Sequence, residues 1–94
     1  MNKTETLARL WLLKNNYNEK DIIQVNNTPK FLCLDGAMFE PKYLYGNKLI
    51  FSNEQLKLIG KDTIILVFDK GNNMIKSFKA KDLYKQPFTI IKTH

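Results

Sequence analysis

Ninety-four residues suffice for one small domain, able to bury roughly 60–65% of its unfolded surface. A hydrophobic share of 44% excludes a disordered chain, and the single cysteine, Cys33, excludes a disulfide framework or a cysteine-rich zinc site. Fifteen Lys+Arg against nine Asp+Glu give a formal charge of +6, compatible with a polyanionic partner. Arg9 is the only arginine, which favours backbone contact over bidentate base reading.

The first predicted element is a helix over residues 3–15. Asn2 caps it, Glu5 completes a capping-box pattern, and Leu7, Leu10 and Trp11 form one apolar stripe. The stretch from Leu7 to Leu13 is too short to span a membrane and lacks the features of a signal peptide, so a cytoplasmic location is expected. Ile22 to Val25 reads as an extended segment or a brief strand, followed by a turn at Asn26-Asn27-Thr28-Pro29.

A hairpin follows, with Phe31–Leu34 and Ala37–Leu44 joined at Asp35-Gly36. A three-residue loop with Gly36 in a left-handed bulge pairs Phe31 with Phe39 and sets Lys30 opposite Glu40. Leu49 to Phe51 is read as the third strand of this meander. Ser52 and Gln55 form a capping box opening a second helix, which ends at Gly60. The apolar run from Thr63 to Phe68 predicts a central strand covered on both faces. Met74–Lys79, a helical turn over Lys81–Lys85 and Phe88–Lys92 complete the α/β (α+β) pattern in a single domain over 1–94.

Glu40-Pro41-Lys42 carries the chemistry. Residues two apart on a strand share a face, so a carboxylate and an ammonium stand side by side. A carboxylate can hold a divalent cation while a lysine orients the attacking water. Pro41 cannot donate to a ladder, which predicts an edge or a bulge there.

Pro29-Lys30-Phe31, Asp35-Gly36 and Glu40-Pro41-Lys42, in that order, resemble the Pro-Asp, spacer, Glu-x-Lys pattern of the restriction-endonuclease-like superfamily. The order of helix, three-strand meander, helix and strand resembles its core, and Phe51 to Gln55 is similar to the strand-to-helix junction of its resolvase-type members. Small stand-alone archaeal or viral nucleases and Holliday-junction resolvases are the nearest types. The resemblance implies a DNA-binding protein with catalytic residues Glu40 and Lys42. Asp35 would be the replacement carboxylate, and Glu40 and Asp35 the ligands of a magnesium ion if the site is active; otherwise no cofactor is implied.

The departure from the pattern is Lys30, standing where the family has aspartate. It predicts a cross-strand ion pair with Glu40 and a degenerate catalytic site, so no enzyme activity is assigned outright. Glu5 is a further candidate ligand, although a capping role accounts for it. The expected nucleic-acid contacts are Lys30, Lys76, Lys79, Lys81 and Lys85, interleaved with Phe78 and Tyr84. A magnesium-dependent endonuclease is one alternative. A small viral or mobile-element inhibitor, binding a protein partner through Tyr43, Tyr45 and Tyr84, is another. Partnership with a second copy of the chain stays open.

Overall fold

The computed structural model describes residues 2–94. Helix α1 (Lys3–Lys14) is capped by the Asn2 side chain, which accepts from the Glu5 amide at 2.8 Å. Strands β1 (Ile22–Gln24), β2 (Phe31–Cys33) and β3 (Met38–Tyr43) form an antiparallel meander. Then come β4 (Lys48–Ser52), α2 (Asn53–Leu58), β5 (Ile64–Phe68), β6 (Met74–Lys79) and β7 (Thr89–Thr93), with a short 3-10 helix over Ala80–Lys85 before β7. A radius of gyration of 12.5 Å matches the roughly 12–13 Å expected of one folded domain of this length.

The main sheet has five strands in the order β1-β2-β3-β5-β6. β3 and β5 are parallel, which requires a crossover, and the chain from β4 through α2 supplies it. β5 is buried on both faces because its side chains alternate between two cores. Leu66 and Phe68 join Phe31, Phe39 and the Ala8–Leu12 face of α1. Ile65 and Val67 join Leu49, Phe51 and Leu83.

The hairpin register is the expected one. Phe31 stands opposite Phe39, the Cys33 amide donates to the Ala37 carbonyl at 2.9 Å, and Gly36 takes a φ of +92°. The brief strand among the readings of Ile22–Val25 forms, and one other strand differs from expectation. Ile22–Gln24 is a full member of the main sheet, pairing with β2 across Ile22–Cys33 and Gln24–Phe31. Leu49–Phe51 is not the third strand of the meander: β4 leaves the sheet and pairs in parallel with β7. Its alternation buries Leu49 and Phe51 against Ile65 and Val67 on one face of β5, so β4 packs on the sheet instead of extending it beside β3.

Pro41 is accommodated because β2 has run out where it stands. β2 pairs with β3 only up to Phe39, whereas β5 pairs with β3 from Phe39 to Tyr43. The Leu44 amide donates toward β5, to the Phe68 carbonyl at 2.9 Å. Alternation therefore aims the Pro41 nitrogen at the open side, where no ladder bond is lost.

Candidate functional site

A cleft of about 180 Å³ opens at the end of β2, where the meander meets the N-termini of α1 and α2. Glu5, Lys30, Glu40, Lys42 and Gln55 line it, with Asn2 and Pro41. Four local features bring them together. The α1 cap sets Asn2 and Glu5, and the end of the turn before β2 sets Lys30. β3 sets Glu40 and Lys42, and the α2 cap sets Gln55.

Glu40 is 3% exposed. Its Oε1 accepts from the Lys30 backbone amide at 2.8 Å. The expected side-chain ion pair between Lys30 and Glu40 is not formed among the described residues; the cross-strand register delivers the Lys30 amide instead. Lys30 lines the cleft, and its charge acts on both Glu40 and Lys42. Burial pushes the Glu40 carboxyl above the usual carboxylate range. The Lys42 charge, the Lys30 amide and the Lys30 charge oppose that push, while the Glu5 charge adds to it.

Lys42 turns inward. Its Nζ donates to the Ile50 carbonyl at 2.8 Å and to Gln55 Oε1 at 3.0 Å, and lies 4.3 Å from the centre of the Phe51 ring. Burial lowers its pKa, Glu40 opposes the shift, and Lys30 adds to it. The Gln55 oxygen also accepts from the Ser52 amide at 2.9 Å, the return bond of the α2 capping box.

Glu5 departs from its expected role. The capping box of α1 is only half made, because the Glu5 carboxylate accepts from Gln24 Nε2 at 2.9 Å. Gln24 in turn accepts from Arg9 Nη2 at 3.4 Å, and Arg9 pairs with Glu19 at 2.9 Å. This relay from β1 holds Glu5 on the cleft. Gln24 carried no local signal, since its role exists only once β1 pairs with β2.

Asp35 does not line the cleft. It stays at the hairpin tip, accepting from the Ala37 amide at 2.9 Å and from the Tyr17 hydroxyl at 3.1 Å. Its position in an Asx-type turn explains the difference, because the short side chain is spent on its own loop. The carboxylates that face the cleft are Glu5 and Glu40.

Of the candidate nucleic-acid lysines, Lys30 alone lines the cleft. Lys76 and Lys79 stand on β6, the outer strand of the sheet. Lys79 faces Asp62 at 3.7 Å, and Lys85 faces Asp82 at 3.4 Å. Lys81 lies in the 3-10 helix after β6. Among the described residues, no helix is long and apolar enough to cross a membrane.

The fold is thus that of a small mixed α+β domain with a carboxylate and lysine cleft at the open end of its meander. The chain matches no protein-family model, no curated protein and no solved structure.

Proposed function

We propose that this chain binds nucleic acid through a nuclease-like cleft whose catalytic constellation is degenerate. The observation that carries the reading is the convergence of Glu5, Lys30, Glu40, Lys42 and Gln55 on one cleft, with a lysine at the mouth of β2. The constellation resembles the restriction-endonuclease-like pattern in position, with a cation in place of its aspartate.

Magnesium prefers oxygen ligands and keeps several waters. Here one Glu40 oxygen takes the Lys30 amide, and one Glu5 oxygen takes Gln24. Lys30 adds an ammonium to the same small space. This donor set does not fit a resident divalent ion. Lys30 fits a phosphate instead, as a point charge. Lys42, committed to Ile50, Gln55 and the Phe51 ring, braces the cleft floor.

The test is fluorescence anisotropy with labelled DNA across a salt series. Lys30→Ala is expected to weaken binding and reduce the magnitude of the log–log salt slope by about one. Replacing Lys76, Lys79, Lys81 or Lys85 is expected to do less. Absence of binding at low salt overturns the reading. So does magnesium- or manganese-dependent cutting that Glu40→Ala abolishes.

A further inference from the structure

The cleft does not end at its own walls. Asn2 also lines a neighbouring concavity of about 450 Å³, walled by Lys3, Thr4, Tyr43 and Tyr45. The same two tyrosines wall a third, of about 500 Å³, which reaches Lys70. The cleft also shares Lys30 and Gln55 with a polar hollow of about 340 Å³ that extends to Asn26 and Asn27. Shared residues thus make the four hollows neighbours in succession, the row turning at Asn2 from the Glu40–Lys42 face of β3 to its Tyr43 face.

Tyr45 is the conspicuous member. It is 58% exposed, yet it is held in place. Its backbone exchanges two hydrogen bonds with Lys48, at 3.0 and 2.9 Å, across a tight turn in which Gly46 takes a φ of +62°. Its ring meets Tyr43 at 4.8 Å between centroids, with planes 60° apart. A large aromatic held this way in the open is a prepared surface, and ordering it on binding costs little. Lys3 and Lys70 flank it, and neither makes an ion pair among the described residues. The acid of this region, Asp69, is engaged by the Gly71 and Asn73 amides at 2.9 and 3.0 Å.

We infer that the row of hollows takes single-stranded nucleic acid, with phosphates near Lys30 and Lys3 and one base stacked on Tyr45. This rests on the nucleic-acid reading of the cleft and narrows it. In a duplex the base faces are covered by neighbouring pairs and cannot reach an aromatic platform. A single strand exposes them, and stacking is tolerant of sequence because every base has a π-face. Lysines spaced along a track, with no arginine among them, suit a backbone followed without base reading.

The experiment compares a labelled oligothymidine of about 15 nucleotides, near the upper site size of one small binding fold, with a mixed-sequence duplex of the same length. Anisotropy is read at about 50 mM salt, where phosphate contacts dominate. Wild type is expected to prefer the single strand. Tyr45→Ala is expected to weaken single-strand binding about 5- to 100-fold, to leave duplex binding unchanged, and to retain the wild-type circular dichroism spectrum. Tyr45→Phe is expected to retain single-strand binding, since the ring face is kept. Single-strand affinity unaltered by Tyr45→Ala overturns this inference while leaving the nucleic-acid reading intact, and so does a preference for duplex. Failure of both oligonucleotides to bind overturns the two together.

Discussion

One oxygen atom, Gln55 Oε1, serves both the Lys42 ammonium at 3.0 Å and the Ser52 amide at 2.9 Å. The cap that starts α2 and the brace that holds the cleft's inner cation are therefore a single feature. Lys42 adds a third element by donating to the Ile50 carbonyl on β4. Helix start, β3 and β4 meet at one side chain, and the site's rigidity is inherited from ordinary helix capping.

Gln55→Ala removes both acceptor functions at once. A lost cap bond and a half-buried ammonium stripped of one of its two acceptors are each worth about 1–2 kcal/mol. Urea unfolding is expected to show a loss of at least that size. Gln55→Glu, which retains both acceptors and adds a charge beside Lys42, is expected to lose less. Equal stability of wild type and Gln55→Ala contradicts the shared role.

Glu40 gives a pH signature. Its folded pKa lies above the unfolded value because of burial. Between those two pKa values the folded protein keeps a proton that the unfolded chain has released, so this group's contribution to stability falls as pH rises through the window. Glu40→Gln keeps an acceptor for the Lys30 amide and carries no charge. It is expected to unfold at a higher temperature than wild type at about pH 7, with the gap shrinking at about pH 3. A gap that widens on acidification refutes the assignment.

Lys30 offers a gain-of-function test. Lys30→Asp removes an ammonium from the cleft and adds a carboxylate beside Glu5 and Glu40. Added manganese or magnesium is expected to raise the melting temperature of this variant by about 4–8 °C per kcal/mol of binding. Wild type is expected to respond much less. Matching shifts in both proteins would show that Lys30 is not what disfavours the cation.

Asp35 separates hairpin from cleft. Asp35→Ala deletes the acceptor of the Ala37 amide and of the Tyr17 hydroxyl. It is expected to cost about 1–2 kcal/mol in denaturant unfolding and to leave nucleic-acid affinity at the wild-type value. A specific loss of binding in a stably folded variant would return Asp35 to the site.

What could be read from sequence was local. The Asn2 and Ser52 caps, the Asp35-Gly36 turn and its register, and the two-faced burial of Ile64–Phe68 all follow from short-range rules. Partner choice is a different matter. Leu49–Phe51 has the alternation of any half-buried strand, and nothing in it specifies β7, about forty residues away, over β3. Glu5 shows the same limit at the site. Its spacing from Asn2 satisfies a capping rule, yet Gln24, brought near by the sheet, takes its carboxylate. Register alone places Lys30 beside Glu40, but register does not decide whether amide or ammonium makes the contact.

Pro41 has a consequence for association. Beyond the end of β2, one side of β3 has no strand partner, and Pro41 lies buried at that margin. With no N–H at its centre, that margin makes a poor template for strand addition. A residue awkward for a sheet thus discourages strand pairing on the side of β3 that lines the cleft.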